Sequence, residues 1–360
     1  MTTRRAFLGG LLAASAAPGL SWADAGSPAF LAAALGPDGG YRLYGIAAGG
    51  DLIFWQPLPG RGHAAAAHPD RPEAVAFARR PGTFALVIDC VSGETSATLE
   101  SPAGRHFYGH GAFSLDGTRL YTSENNTETL EGVIGIWETR GYRRIGEFAS
   151  GGIGPHEIKR RPGSDILVVA NGGIATHPES GRSKLNLPTM RANLSHLSAE
   201  GAVLDRVELP EAMRLNSIRH IDVRADGLVA AAMQWQGDEL AAPPLLALAR
   251  AGEGLRLVHA PEPIHRRQRG YVGSTAFSGD GAQVGITSPR GDLMLVFDAE
   301  TEAYESFSRL RDVSGIAPDA RGLMVTTGTG QVGLAGVDGA MTHHMGLQFD
   351  NHLVPVHAPV

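Results

Sequence analysis

Cysteine, lysine and aromatic residues are all scarce in this 360-residue sequence, which has one cysteine, two lysines and 6% aromatic residues. The single Cys90 lies in the apolar stretch FALVIDCVSGE and cannot form an internal disulfide, so the core must stabilise the fold. We expect this thiol to be buried and inert. Amphipathic helical patterns are rare, and after residue 25 no apolar run is long enough to span a membrane.

Positive charge is also scarce. The chain has 31 lysines and arginines against 37 aspartates and glutamates, a formal net charge of −6. This balance argues against nucleic acid or an anionic membrane surface as a partner, because both bind basic patches. No low-complexity segment or linker divides the chain after its first 25 residues, which favours one large domain.

The first 25 residues have the pattern of a twin-arginine (Tat) export signal. Arg4 and Arg5 precede Phe7-Leu8 and a short, alanine-rich apolar run, and Ala23-Asp24-Ala25 has the small-x-small pattern of a cleavage site. We therefore expect residues 1–25 to be a signal peptide, the mature domain to comprise residues 26–360, and the protein to be periplasmic. An uncleaved N-terminal anchor is the alternative.

What is abundant points to β structure. Glycine (48) and proline (22) are scattered along the chain, and aspartate-glycine and proline-glycine turn signals recur. The stretches EAVAFARR and PPLLALARA contain good helix formers, but each is short and bounded by turn signals. We interpret both as strands.

A motif of histidine or serine, a short strand and a turn recurs seven times. HGAFSLDG, HIDVRADG, HEIKRRPG and STAFSGDG are the clearest examples, and the seven starts are 38 to 64 residues apart. Such periods are typical of four-stranded propeller blades. The seven starts are His63, His110, His156, His220, Ser274, Ser314 and His352. The fold class predicted is all-β, a seven-bladed β-propeller.

The two ends of the chain complement each other. Residues 30–59 contain three strand patterns without an innermost one, and the terminal HLVPV is an innermost strand without its other three. We expect the seventh blade to combine one C-terminal with three N-terminal strands. This closure would leave no open sheet edge.

Five of the seven starts are histidines, and equivalent positions of successive blades converge on the propeller axis. Convergent imidazoles are the commonest ligands of Cu, Zn, Fe and Ni. The sequence therefore predicts a transition-metal site, with copper or iron as the cofactor, at His63, His110, His156, His220 and His352. The alternative is that small polar residues, histidine among them, only line a wet channel mouth.

Other polar residues are expected around this site. The ends of the second strands place Glu124, Asn125, Asn171, Gln234 and the segment from Ser288 to Arg290 on the histidine face. Glu157, Arg219 and Asn351 are sequence neighbours of the histidines and could fix their tautomers. Equally, these polar side chains could only end strands and cap loops.

The longest interval between two starts comes from an insertion at residues 171–194, between the second and third strands of the third blade. It contains His177, Arg182 and Lys184. Long loops in compact folds are usually functional or disordered. We expect a lid or docking loop on the histidine face, with a solvated insertion as the alternative.

Several long motifs carry a resemblance to a known family: LPGRGH, FARRPGTFALVID, RHFYGHGAFSLDG, GEFASGGIGPHEI, VANGGIATHPESGRSKLNL, SIRHI, GYVGS, TSPRGD and DNHL. The chain resembles, over nearly its whole mature length, an exported bacterial seven-bladed propeller family classed as a domain of unknown function. The resemblance implies a periplasmic role in iron or copper handling beside imelysin-type or dihaem-peroxidase-like proteins. The motif histidines that it carries over are His63, His110, His156, His177, His220 and His352.

Three classes of function fit these features. The first is a periplasmic metal-binding protein of iron acquisition or metal redox handling. The second is an enzyme that uses the channel for a small organic substrate. Against it, lactonase-type propellers hold a hard cation with oxygen ligands, whereas this channel is rich in imidazole. The third is a protein-docking scaffold without a metal. The sequence leaves open whether the protein is an enzyme.

Overall fold

A computed structural model describes residues 19–79, 83–181, 183–337 and 339–356. Arg4, Arg5 and Arg182 lie outside these residues. The described chain forms seven antiparallel sheets arranged as a seven-bladed β-propeller, as predicted. No helix in the described ranges is long and apolar enough to cross a membrane.

Blades 1 to 6 each consist of four strands in chain order from the axis outward. Blades 1 to 3 comprise β1 (Gly62–Ala67), β2 (Glu73–Ala78), β3 (Phe84–Asp89) and β4 (Thr95–Glu100); β5 (Arg105–Phe113), β6 (Arg119–Asn126), β7 (Gly132–Glu138) and β8 (Arg143–Ala149); β9 (Pro155–Arg160), β10 (Leu167–Asn171), β11 (Asn193–Leu197) and β12 (Val203–Glu208). Blades 4 to 6 comprise β13 (Asn216–Val223), β14 (Val229–Trp235), β15 (Leu246–Ala249) and β16 (Arg256–Val258); β17 (Ser274–Phe277), β18 (Gln283–Ser288), β19 (Leu293–Asp298) and β20 (Tyr304–Arg309); β21 (Val313–Asp319), β22 (Gly322–Thr327), β23 (Gln331–Leu334) and β24 (Met341–His343).

Blade 7 joins the two ends of the chain. Its N-terminal strands are β25 (Phe30–Leu35), β26 (Tyr41–Ile46) and β27 (Leu52–Pro57), and its C-terminal part is β28 (Gln348–Phe349) and β29 (Val354–Pro355). Both short C-terminal strands pair antiparallel with β25. The predicted closure is confirmed, but the innermost strand is interrupted, and His352 lies in the interruption instead of starting a continuous strand.

The strands of EAVAFARR and PPLLALARA are confirmed as β2 and β15. One short α-helix, α1 (Glu262–Gln268), lies between blades 4 and 5. Five 3-10 turns complete the described elements: Pro178–Ser180, Leu187–Thr189, Glu211–Met213, Glu239–Ala241 and Pro289–Gly291.

The hydrophobic core consists of seven clusters, one between each pair of neighbouring blades. Between blades 1 and 2, for example, Val75 and Phe77 pack against Phe113 and Leu120. Because each blade buries both of its faces, its second and third strands are buried along nearly their whole length, as β6, β7 and β10 are. The outer strands alternate instead, as β8 and β27 do. Cys90 belongs to the cluster between blades 7 and 1, where burial raises the pKa of its thiol to about 12, so the thiol is inert as expected.

The segment before β25 also packs on the propeller. Trp22 is 3% exposed and lies in the same cluster as Leu31 and Leu43. Its indole nitrogen donates a hydrogen bond of 2.9 Å to the carbonyl of His68. The residues on the N-terminal side of the predicted cleavage position therefore contact the folded domain.

Candidate metal centre in the propeller channel

Local irregularities of the innermost strands direct the predicted histidines at the axis. In blades 1 to 4 the pairing between the first and second strands shifts register next to the histidine. At that point the first, innermost strand has one or two more residues than the second strand opposite it. Such a β-bulge bends the strand and re-aims a side chain. The histidines therefore lie at bulges within or near the starts of their strands, and His110 and His220 are in mid-strand, not at the first residue as the sequence predicted.

The five imidazoles pack as one compact cluster at the axis, which we call the histidine ring, and the centroids of His110 and His352 are 4.7 Å apart across it. Successive ring centroids, in the order His63, His110, His156, His220, His352 and back to His63, are 4.7–4.9 Å apart. All but His156 are at least 94% buried. The structure thus brings together the five histidines predicted from separate blades. In the other two blades Ser274 and Ser314 hold the equivalent positions and are buried as well.

Two groups within this ring have the spacing of a ligand set. His63, His110 and His352 form one, His110, His156 and His220 the other, and in each the candidate ligand nitrogens lie within 4.8 Å of one another. Nitrogens bound to one ion at about 2.1 Å can be at most about 4.2 Å apart. Movements of a few tenths of an ångström in each ring close that difference.

Four adjacent ring nitrogens are buried without a hydrogen-bond partner among the described residues. They are Nε2 of His110 and His352 and Nδ1 of His156 and His220. A buried polar atom left unpaired costs about 1–3 kcal/mol, and native proteins contain few of them. His220 Nδ1 stands 3.5 Å from the carboxylate of Glu157. The other three nitrogens belong to histidines of the two ligand groups, and a metal ion would satisfy them.

Two carboxylates lie beside the ring at nitrogens on its outside. Asp350 Oδ1 is 3.4 Å from His63 Nδ1, and the same carboxylate accepts hydrogen bonds from Arg61 and Arg79 at 2.6 and 2.8 Å. Glu157 is 3.5 Å from His220 Nδ1 and 3.9 Å from His110 Nδ1. A carboxylate beside Nδ1 favours the tautomer that leaves Nε2 as the ligand atom.

The electrostatics of the site keep four of the five ring histidines neutral. Burial, with repulsion from the neighbouring rings, holds the pKa of His110, His156 and His352 well below the usual histidine value, and burial also lowers the pKa of His63. Burial alone would raise the pKa of Glu157, but contact with His220 and the charge of Lys159 lower it to about 2. At neutral pH the site therefore offers unprotonated imidazoles next to ionised carboxylates, the protonation state that metal binding needs.

The histidine ring separates two cavities. On one side is a polar cavity of about 480 Å³ that reaches His63, His156 and His220, which we call the funnel. On the other is a cavity of about 550 Å³ that reaches His110 and His352 and is lined largely by small residues of the innermost strands. Lys159 and Asp222 form an ion pair of 2.9 Å in this second cavity. The centre is therefore reachable from both faces of the propeller.

The other predicted residues divide into two groups. Arg219, Gln234, Arg290 and Asn351 line the funnel, and Glu157 contacts the histidines. The contacts of Glu124 and Asn171 lie within their own blades: Glu124 pairs with Arg144 at 2.6 Å, and Asn171 bonds to Ser150 and Asn193.

The predicted insertion lies between β10 and β11, and part of it reaches the funnel. Ile174, Thr176 and Lys184 line the funnel wall. Asn125 donates to the carbonyl of Thr176 at 3.1 Å, so it holds this loop and not a histidine. His177 accepts a hydrogen bond from the backbone of Glu179 and starts the turn Pro178–Ser180.

Sequence reasoning missed Asp350, Arg79, Lys159 and Tyr271. Asp350 stands two residues before His352, inside the quoted motif DNHL, and Lys159 stands three after His156. For Asp350 and Lys159, proximity to a histidine in the sequence was the available signal. Which residues they contact could not be predicted, because it depends on which strands meet at the axis.

Fold and site together define a class, a seven-bladed propeller with a buried histidine ring at its axis. A family model described as "Protein of unknown function (DUF1513)" matches residues 56–356. The chain belongs to this family. No curated protein matches the sequence.

Among solved structures the chain is similar to hydrazine synthase of Kuenenia stuttgartiensis, with a TM-score of 0.58 and 11% sequence identity. The match covers 83% of this chain and 93% of that chain. At this identity the likeness shows the fold alone.

Proposed function

We propose that this propeller holds a transition-metal ion, copper or iron, in its histidine ring and acts in iron acquisition or in periplasmic metal redox handling. The observation that carries the proposal is the set of buried ring nitrogens that have neither a hydrogen-bond partner nor a nearby carboxylate, namely Nε2 of His110, Nε2 of His352 and Nδ1 of His156. A purely structural histidine layer would pair these nitrogens with one another or with the backbone. Here they stay unpaired, in two groups of histidines whose candidate ligand atoms lie within 4.8 Å of one another.

The chemistry of the donors supports a transition metal, copper and iron included. Every candidate ligand is a neutral imidazole nitrogen, and the two nearby carboxylates stand beside nitrogens of the histidines. Imidazole suits Cu, Fe, Zn and Ni, whereas Mg and Ca prefer oxygen. We expect one ion per chain, because the two ligand groups share His110 and a neutral imidazole has a single lone pair to donate.

The proposal includes export by the twin-arginine pathway and work beside imelysin-type or dihaem-peroxidase-like proteins. It is supported by the residue pattern before Gly26 and by the family resemblance. If the pathway is right, the double variant Arg4→Lys/Arg5→Lys stays in the cytoplasm. Periplasmic delivery of that variant would contradict it.

The test is metal retention by protein purified without a histidine tag. Wild-type protein is loaded separately with Cu(II), Fe(II) under exclusion of oxygen, and Zn(II), dialysed, and analysed by mass spectrometry for metal per chain. We expect close to one equivalent of copper or iron to remain. Single replacements of His110, His156 or His220 by alanine should lower retention strongly while the far-ultraviolet circular dichroism stays unchanged.

Two histidines outside the channel serve as matched controls. His196 is buried in β11 and His259 is exposed after β16. Their alanine variants should retain as much metal as the wild type. If the wild type retains none of the three metals, or if these controls lose as much as the ring variants, the metal function is wrong and a metal-free docking scaffold becomes the better explanation.

A further inference from the structure

The funnel has a charge opposite to that of the chain as a whole. Among the described residues its wall contains four cationic side chains and one carboxylate, Glu239, although the chain has a formal net charge of −6. The four cations are Arg79, Lys184, Arg219 and Arg290. A concave surface of one sign concentrates ligands of the opposite sign. The funnel therefore favours an anion.

The four cations come from four different blades of the propeller. Arg79 follows β2 of blade 1, Lys184 belongs to the insertion of blade 3, Arg219 lies in β13 of blade 4, and Arg290 follows β18 of blade 5. Arg219 is the extra residue of the bulge between Ile218 and His220, directly beside a ring histidine. Charges distributed in this way suit a ligand with more than one anionic group.

Two of the guanidinium groups are held in place and still exposed. Arg290 stacks over the ring of Tyr271 at 4.6 Å and stands 3.7 Å from the carboxylate of Glu239, and Arg79 binds Asp350 at 2.8 Å. Their side chains remain 51% and 23% exposed. Because a guanidinium has five N–H donors in a rigid plane, each keeps donors for a carboxylate. Asn351 donates to the hydroxyl of Tyr271 at 3.2 Å and so ties the base of this wall together.

The floor of the funnel is the histidine ring itself, at His63, His156 and His220. A volume of about 480 Å³ is in the range of small-molecule sites and larger than a single inorganic phosphate requires. We propose that the funnel binds a small organic polycarboxylate directly above the histidine ring. That this ligand would lie beside a metal ion rests on the proposed function. Binding of the ligand by the arginines needs no metal.

The test uses the full-length protein freed of metal, with citrate as the probe and titration calorimetry as the measurement. We expect one citrate per chain, with affinity that falls as salt is raised. Arg219→Gln and Arg290→Gln should each weaken binding about 10-fold or more, since hydrogen bonds to charged groups are the strong ones. Arg309→Gln, an exposed arginine on the outer strand of the same blade as Arg290, should bind like the wild type.

Three results would overturn the inference. One is wild-type protein that binds no citrate at millimolar concentration, and another is unchanged binding by both funnel variants. The third is inorganic phosphate binding as tightly as citrate, which would make the funnel a general oxyanion site. Since every arm uses metal-free protein, failure here leaves the metal-retention result untouched, and failure of metal retention leaves citrate binding untouched.

Discussion

Gly109 shows how closely the channel residues pack. It adopts a φ of +96°, which L side chains rarely do, and a Cβ at this position would lie 3.0 Å from Cδ2 of His63 and 3.1 Å from the carbonyl of Ala78. Gly315 is equally confined, because a Cβ there would meet the backbone of Leu353 at 2.8 Å. The glycines beside the channel positions therefore let neighbouring inner strands approach at the axis.

Glu157 and Glu124 were both predicted to lie around the histidine site. In the structure Glu157 lies beside two of the histidines, whereas Glu124 pairs with Arg144. We predict that Glu157→Gln lowers metal affinity by about 10- to 100-fold, the usual effect of removing a partner of a metal ligand, because its charge no longer holds the histidine tautomers. A competition titration against a chelator of known affinity measures this. Glu124→Gln is the control: it breaks a buried ion pair with Arg144, so it should lower stability and leave metal affinity unchanged.

The metal-free protein should lose stability as the pH falls below about 6.5. Four ring histidines have a lowered pKa in the folded state, so below the ordinary histidine value the unfolded chain binds protons that the folded chain does not. Stability is then complete above that pH and falls below it, by at most about 1.4 kcal/mol per pH unit for each histidine.

Urea unfolding between pH 7.5 and 5 measures this slope, in a window above the titration of Glu157 and Asp350, whose pKa values are lowered. His110→Asn should flatten the slope by about one proton. A free energy of unfolding that does not change over this range would contradict the neutral-ring interpretation. Bound metal should keep the rings unprotonated and move the loss to lower pH.

At the scale of elements, the blades could be predicted because each repeats a short strand and a turn at nearly constant spacing. The turn of SLDG, for instance, is closed by Ser114 and Asp116, whose side chains bond to each other at 2.7 Å. The bulges could not be predicted, since a bulge depends on how two strands pair and not on either strand alone. The contacts of Asp350 with Arg61 and Arg79 join residues more than 270 positions apart, beyond the reach of local pattern.

The C-terminal strands should be essential for closing the ring. Deleting residues 352–360 removes β29 and His352, so β25 loses part of its inner partner and the cluster between blades 7 and 1 loses Val356. We expect a large fall in melting temperature or a loss of cooperative unfolding, measured by calorimetry. A chain that ends at Val356 keeps both pairings of β25 and should melt like the full-length protein. A chain without residues 352–360 that also melts unchanged would refute the closure.

The buried Trp22 makes the position of signal cleavage testable. Replacing a buried tryptophan by alanine costs about 3–5 kcal/mol, so protein that keeps residue 22 should be clearly destabilised by Trp22→Ala. Cleavage after Ala25, as the sequence predicts, would remove the residue. Intact mass of the exported protein identifies its first residue, and urea unfolding then compares chains that begin at residue 19 and at Gly26. Equal stability of the two would show that Trp22 contributes nothing to the fold.

At the scale of the whole molecule, stability and function occupy different places. Seven apolar clusters between the blades hold the ring closed, and the axis is left to polar groups that stabilise little by themselves. Unpaired polar atoms in a native protein are expected where function requires them. The part of the chain that matches the family, residues 56–356, contains all five ring histidines.

The most direct test of this account is the location of the metal. Crystals of protein loaded with copper or iron, measured at the absorption edge of that metal, show its position by anomalous scattering. We predict one peak on the propeller axis, within about 2.0–2.2 Å of imidazole nitrogens from at least three of the five ring histidines, His110 among them. A peak only at surface histidines such as His259, or no peak from loaded protein, would contradict it.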